Sequence, residues 1–518
     1  MVSATIALMM MSLLSLTAVL LSSAQAEDLK IEALDASLRF PSMAPVRDRF
    51  PSPSERGITL PPSTVLTDAP FPLEDTLTLH SNPGATKIVY LDFDGHSVPW
   101  GGSMYVYPAW NWEGSPETLS DDELTIIQLV WWSVSEDFMP FDIDITTERP
   151  DIEALKNTGN GDTEWGVRAV INHLSYDYSW AYSGTFSSAY DDELFAWSGN
   201  FSDIYETWLW TADSVSHEVG HTLGLADDGT VTGPSYYRGH GTGDVAWSPI
   251  MGWTNYGLSQ WDRGDYPDSN TVGEDDLAII TSLNGFDYRV DDHGSSIGTA
   301  TVIDLDSPVL VDGLIEQSDD LDVFQLEVSE AGLLVLHVEP DPINPNLDIA
   351  AAITDKSGTV LAESNPPTAL YADFDLSLEA GTYFLTVDGT GYDDPDSPGY
   401  SDYGSLGSYS FEASVEYAVD TGEDDTDTGE DDTDTGEDDT DTGADDTDTG
   451  ADDTDTGADD TEGEASLDGT AEPGSKGCGC STGGAGGFAG LLLLPLLVLR
   501  RRSAATEDPT ATDPTATA

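Results

Sequence analysis

Only two cysteines, Cys478 and Cys480, occur in 518 residues, and both lie near the C-terminus. Everything before them must fold without a disulfide, and no thiol there can mask or ligate a metal. Positive charge is also scarce: 17 Lys and Arg stand against 97 Asp and Glu, a formal net charge of −80. Such a surface repels phosphate backbones and anionic lipid, which excludes nucleic-acid binding. It suits a salty or calcium-rich exterior, between which composition does not choose. Apolar runs are short. Ile6–Leu21, followed by Ala24-Gln25-Ala26, reads as a secretory signal peptide over 1–26, although no Lys or Arg precedes it. Gly483–Leu499 is short for a membrane span and contains Pro495. The chain is too long for one core, so two or more domains are expected.

The most informative stretch is His217-Glu218-Val219-Gly220-His221-Thr222-Leu223-Gly224-Leu225-Ala226-Asp227. Two histidines four apart share one helical face, so both imidazoles can reach one zinc ion. Glu218 is placed to accept a proton from a water at that metal. Gly224 can end the helix in a left-handed turn, having no Cβ to clash. The chain can then fold back and present a third ligand. Asp227 stands six residues beyond His221, and Asp228 is adjacent; the spacing favours Asp227, with Asp228 holding the loop or orienting a ligand. Further on, Ser248-Pro249-Ile250-Met251-Gly252 offers a soft methionine that can pack beneath the histidine rings. Tyr256, five residues later, is a candidate to assist an oxyanion or else a packed tyrosine; Trp253 reads as core.

These elements, with Tyr90-Leu91-Asp92-Phe93-Asp94-Gly95-His96, the run Ser135–Glu148 and Glu274-Asp275-Asp276-Leu277-Ala278-Ile279-Ile280, resemble secreted bacterial metallopeptidases with a reprolysin-like, metzincin fold. The resemblance runs from about Thr76 to Leu283. It implies an α/β catalytic domain of mixed sheet plus zinc helix, with His217, His221 and Asp227 as ligands, Glu218 as general base and Met251 in a supporting Met-turn. The family usually has histidine where Asp227 stands. An anionic ligand leaves the site one positive charge poorer than three imidazoles, so a water there should be less acidic. In metzincins the edge strand beside the cleft pairs with substrate backbone, and Gly184–Tyr190 reads as a short exposed strand suited to that.

Along the chain, residues 27–75 are proline-rich and aperiodic, a propeptide or extended N-terminal arm, or else a plain linker. Residues 76–288 form the expected peptidase domain. Ile88–Phe93, Phe141–Thr147 and Gly166–Asn172 read as strands. Asp121–Phe138 reads as a helix with Leu124, Ile127, Gln128, Trp131 and Val134 along one side. Ser202 or Asp203 suits the N-cap of the helix that carries the histidines. From 289 to 418 helical period disappears. The runs Leu321–Val328, Gly332–Val338, Leu347–Ile353 and Gly381–Val387 alternate with Gly, Pro and Asp turns, as in an all-β sandwich. Asp291-Asp292-His293-Gly294 and Asp319-Asp320-Leu321-Asp322-Val323-Phe324 resemble the bacterial pre-peptidase C-terminal domain. Its clustered aspartates either bind calcium or are solvated turn residues.

In the segment 419–476 a seven-residue repeat places glycines at 422, 429, 436, 443, 450 and 457. Between Asp420 and Glu464 lie 23 of the 97 acidic residues. The repeat has no apolar position, so it can form neither coiled coil nor core and reads as a disordered, extended spacer. In 477–502, Cys478-Gly479-Cys480, an apolar run and Arg500-Arg501-Arg502 resemble myxobacterial C-terminal sorting signals processed by envelope machinery. Residues 503–518 form a tail beyond the usual end of such signals. The whole reads as an exported zinc endopeptidase, at the cell surface or secreted after processing, acting on proteins or peptides. Two alternatives are a surface adhesin with a degenerate peptidase domain, and a zinc amidase acting on cell wall.

Overall fold

The computed structural model describes residues 46–48, 69–100, 103–113, 118–172, 179–191, 194–198, 204–253, 257–395 and 397–417. Tyr256, Ser202, Asp203, Cys478, Cys480, the signal peptide, the acidic repeat and the sorting segment lie outside them. The described residues are mostly β-sheet with few helices.

The N-terminal part is built on a six-stranded mixed sheet in the order β1-β7-β8-β6-β2-β5. Its strands are β1 (Val46–Asp48), β2 (Lys87–Asp92), β5 (Asp144–Thr146), β6 (Trp165–Asn172), β7 (Ser179–Ala181) and β8 (Leu194–Trp197). Strands β2, β5, β6 and β8 are mutually parallel; β7 and β1 add antiparallel at one edge. A separate hairpin, β3 (His96–Trp100) with β4 (Ser103–Tyr107), follows β2. Val89, Leu91, Val167, Ala169 and Ile171 are buried, as parallel strands covered on their faces require.

Helix α1 (Asp121–Asp137) starts at a capping box. Ser120 Oγ accepts from Glu123 N at 3.2 Å, and Glu123 Oε2 accepts from Ser120 N at 2.9 Å. Helix α2 (Ile204–Leu223) packs against α1 and along β6, β7 and β8. Strands β9 (Trp247–Pro249) and β10 (Leu258–Gln260) and helix α3 (Asp276–Leu283) complete this part.

The C-terminal part is a β-sandwich. One sheet has the order β11-β13-β18-β15-β16, the other β12-β19-β14-β17. The strands are β11 (Thr301–Asp304), β12 (Val309–Ile315), β13 (Leu321–Val328), β14 (Gly332–Pro340), β15 (Ile349–Asp355), β16 (Val360–Ser364), β17 (Ala372–Leu378), β18 (Gly381–Gly389) and β19 (Gly407–Tyr417). Alternation sets the faces: Leu334, Leu336 and Val338 point inward from β14.

Two expectations need correction. Gly184–Tyr190 is not a strand but a pair of turns. Gly184 N donates to His221 O at 2.9 Å and Phe186 N to Thr222 O at 2.9 Å. The segment therefore satisfies the carbonyls at the end of α2 instead of a sheet ladder. Helix α1 is also buried well beyond the one side expected, from Thr125 through Val130 and from Ser133 through Asp137. The sandwich covers its second face. Asn346 Nδ2 donates to Asp137 Oδ1 at 2.9 Å, Trp132 Nε1 to Asp341 at 2.6 Å, and Ser408 N to Glu136 at 2.8 Å. Asp137 in turn accepts from Ser216 Oγ on α2 at 2.5 Å, so the sandwich is braced against the helix that carries the histidines.

Candidate metal centre

His217 and His221 stand one turn apart on α2, their rings 4.8 Å apart and at 87°. Their outer nitrogens face backbone carbonyls. His217 Nδ1 lies 3.2 Å from Ile250 O, and His221 Nδ1 lies 3.0 Å from Leu225 O. A ring that donates from Nδ1 presents an unprotonated Nε2 on its other side, the form that ligates a metal.

The helix ends where the sequence says it must. Gly224 adopts φ +109°, Gly224 N donates to His221 O at 3.0 Å, and Leu225 N donates to Gly220 O at 3.1 Å. This is a Schellman termination, and it turns the chain back toward the histidines. Ala226 N then donates to Glu274 at 2.7 Å and Asn270 Nδ2 to Asp227 O at 3.1 Å, which fixes the loop. A Cβ on Gly224 would meet only Ile279 at 3.6 Å, so the position demands glycine for its backbone alone. Gly224→Ala should therefore cost about 1–2 kcal/mol, read as a lower thermal unfolding midpoint.

Asp227 Oδ1 arrives 3.3 Å from His217 Nε2 and 3.2 Å from His221 Nε2. Asp228 does not join them. It is buried, accepts from Thr271 Oγ1 at 2.5 Å and Tyr266 at 3.3 Å, and its N donates to Met251 O at 2.8 Å. Burial, then the charge of Asp262, pushes its carboxyl up to about 8. Met251 is buried and lies under α2: a Cβ on Gly220 would meet its Sδ at 2.3 Å. Glu218, the residue after His217, is fully buried, and the Asp48 carboxylate lies near its own.

One member of the group comes from the N-terminal arm, Asp48. Its Oδ2 lies 3.2 Å from His221 Nε2, and its Oδ1 accepts from the Tyr236 hydroxyl. Asp48, His217, His221 and Asp227 present donor atoms within 4.8 Å of one another. They form a buried group that could hold a metal ion. The spacing supports this: an ion held tetrahedrally by bonds of about 2.0–2.1 Å spaces its ligand atoms about 3.3 Å apart. Charge supports it too. Burial, then Asp48, drives the Glu218 carboxyl well above its usual range. Burial opposes protonation of His221, but the Asp227 and Asp48 carboxylates outweigh it and raise its pKa. Burial likewise acts against an ionised Asp227, yet the two imidazoles hold its pKa well below the ordinary value. Three carboxylates crowded with two imidazoles call for a cation.

Sequence reading missed Asp48 and Tyr236. Val46–Asp48 is three residues long, too short to show a period, and lies in a proline-rich stretch. Tyr236 has no local signal; its ring lies 6.0 Å from His217 and stacks on Trp253 at 5.6 Å.

The candidate calcium ligands form two overlapping groups in the sandwich, Asp291, Glu316, Asp320 and Asp291, Asp292, Asp322. Glu316 and Asp322 are buried; Asp322 Oδ2 accepts from the Tyr409 hydroxyl at 2.6 Å, while its Oδ1 makes no hydrogen bond. Burial first, and neighbouring acids after it, pushes Glu316 to about 10 and Asp322 to about 8.

No family model and no curated protein matches the chain. Solved structures match part of it. The pre-peptidase C-terminal domain of a collagenase from Bacillus anthracis is 17% identical, with 25% of this chain and 98% of that one covered, at a TM-score of 0.17. PliG of Aeromonas hydrophila, a periplasmic inhibitor of g-type lysozyme, is 9% identical over 23% of this chain and 97% of its own, also at 0.17. A β-glucosidase from Paenibacillus barengoltzii is 18% identical over 22% of this chain and 11% of its own, at 0.12. The likeness is thus weak and partial, and one of the structures it reaches is a pre-peptidase C-terminal domain.

Proposed function

We propose that this chain is an exported zinc endopeptidase of the metzincin, reprolysin-like type, followed by a pre-peptidase C-terminal-like sandwich. One observation carries the reading: the donor atoms of His217, His221 and Asp227 converge at the spacing of a tetrahedral ion, on a helix where Glu218, the residue after His217, is also buried. Two imidazoles and a carboxylate suit zinc, which when bound supplies Lewis acidity toward a peptide carbonyl and an acidified water. Glu218 accepts the proton of the attacking water and delivers it to the leaving amine. The Ile250 and Leu225 carbonyls hold the imidazoles in register, and Asp228 ties the Asp227 loop to Met251. Tyr236 is the phenol positioned to donate to a developing oxyanion once its hydroxyl is released from Asp48. A binding protein with a degenerate peptidase domain would have no use for a buried general base at this position. Cleavage after Ala26 and near Cys478 belongs to the same proposal, as does calcium in the sandwich.

The test is hydrolysis of an unfolded protein by the zinc-loaded chain. Chelation should abolish it and zinc restore it. Chelator-resistant cleavage, or turnover of peptidoglycan with none of protein, would overturn the reading.

A further inference from the structure

The sandwich does more than cover α1: it reaches His217 by two routes that start at one residue. Asn346 lies in the loop 341–348 between β14 and β15 and is buried, as is Asn344. The loop is held from within. Asp341 Oδ1 accepts from Ile343 N at 2.8 Å and from Asn344 N at 2.9 Å, Pro342 and Pro345 restrict the backbone, and Asp348 N donates to Ser405 Oγ at 2.9 Å. The first route runs through side chains. Asn346 Nδ2 donates to Asp137 Oδ1 at 2.9 Å, Asn344 Nδ2 adds to it at 3.3 Å, and Asp137 Oδ2 accepts from Ser216 Oγ at 2.5 Å. Ser216 is the residue before His217. The second route runs through the chain that follows α2. Asn346 O accepts from Gln260 Nε2 at 2.7 Å, Gln260 O accepts from Ile250 N at 2.9 Å, and Ile250 O faces His217 Nδ1 at 3.2 Å. Asn346 Nδ2 also donates to Ser259 O at 2.6 Å, which ties β10 to the same loop.

We propose that Asn346 is a positioning residue for the candidate metal centre: by holding Asp137 with its amide and Gln260 with its carbonyl, it sets the place and the tautomer of His217, so the sandwich is a working part of the centre. This rests on the metal reading of His217, His221 and Asp227. Asp137, Ser216, Gln260 and Asn346 are all buried, so a bond lost along either route leaves a polar group without a partner. Asp137 is the extreme case. A carboxylate enclosed by protein keeps its place only while its donors do, and two of the three side chains that donate to it, Asn344 and Asn346, come from the sandwich; the third is Ser216. Its backbone is engaged as well, because Trp261 Nε1 donates to Asp137 O at 2.7 Å just beyond β10. At the other end, a ligating imidazole is aimed by the partner of its outer nitrogen. Ile250 O is that partner for His217, and the Ile250 peptide hangs on β10, which the loop holds.

The experiment uses the full chain and reads zinc affinity by titration and, with cobalt in place of zinc, visible absorption. Asn346→Ala should weaken zinc binding by ~10-fold or more, the effect of groups that orient ligands, and should shift the cobalt bands. Ser216→Ala removes only the last bond of the first route, leaves the sandwich contacts of Asp137 intact, and should act in the same direction. The two effects should not add in the double variant, since both pass through Asp137. Ser408→Ala is the control. Its hydroxyl donates to Glu136 Oε2 at 2.7 Å on the same interface but away from both routes. It should lower the thermal midpoint and leave zinc affinity and the cobalt spectrum unchanged. Unchanged affinity and spectrum in Ser216→Ala, additive effects in the double variant, or an equal loss of affinity in Ser408→Ala would each overturn the proposal. If Asn346→Ala does not fold, Ser216→Ala and Ser408→Ala decide it. Failure of the metal reading looks different: the unsubstituted chain would itself bind no zinc. A chain whose zinc affinity follows Asn346 but which hydrolyses nothing keeps the positioning role and removes the peptidase.

Discussion

Glu218→Gln should leave one metal bound per chain and lower peptide hydrolysis by roughly 10²–10⁴-fold. Glutamine has the size and shape of glutamate but cannot take up a proton, so the packing of this buried side chain is kept. Glu218 is not among the donor atoms that converge with the histidines; those are supplied by Asp48 and Asp227. Metal content should accordingly stay unchanged while turnover collapses. The burial that raises the Glu218 carboxyl is the setting a general base needs, provided a cation beside it restores its ionised form. Activity near the original level with metal still bound would remove Glu218 from the proton transfer. Loss of the metal would show instead that Glu218 holds the site together.

The second large effect concerns the ligand loop. Asp227→Ala should weaken zinc binding by more than ~100-fold, whereas Asp228→Ala should weaken it by roughly 10–100-fold, the range of groups that only orient ligands. The geometry separates the neighbours. Asp227 Oδ1 lies 3.2–3.3 Å from both imidazoles, while Asp228 Oδ1 accepts from Thr271 and Tyr266 and Asp228 is not among the converging donors. Asp228→Ala also strips a partner from two buried hydroxyls, so its thermal midpoint should fall further than that of Asp227→Ala. Zinc titration and thermal unfolding of both variants decide the matter; metal lost from Asp228→Ala and kept by Asp227→Ala would reverse the assignment. Asp227→His, which restores a neutral third ligand, should move any surviving activity to lower pH, because the site regains one positive charge.

Much of the centre was legible in the chain because its parts are local. Two histidines four apart on a helix must share a face, and a glycine three residues on must end that helix. The structure places His217, His221, Gly224 and Asp227 accordingly, with Met251 under the helix. The alternating runs of the sandwich were legible for the same reason: a period of two needs no knowledge of the partner strand. The helix 121–137 was legible as an element but not in its burial. Its stripe of Leu124, Ile127, Gln128, Trp131 and Val134 describes one contact face, whereas Glu136 and Asp137 are buried by side chains and backbone more than two hundred residues away.

Sequence alone thus determined which residues could meet a metal from one helix and its turn, since their spacing is fixed by 3.6 residues per turn and by one glycine's freedom at positive φ. Only the tertiary structure decided that Gly184–Tyr190 caps a helix end instead of forming an edge, and that Asp228 turns away. It alone decided that the edge beside the histidines is taken by Val46–Asp48. The physical reason is the same in each case. Whether a carbonyl finds its partner in a ladder or a turn, and which carboxylate fills the last place beside an imidazole, depends on segments far apart along the chain, and no local period records such a meeting.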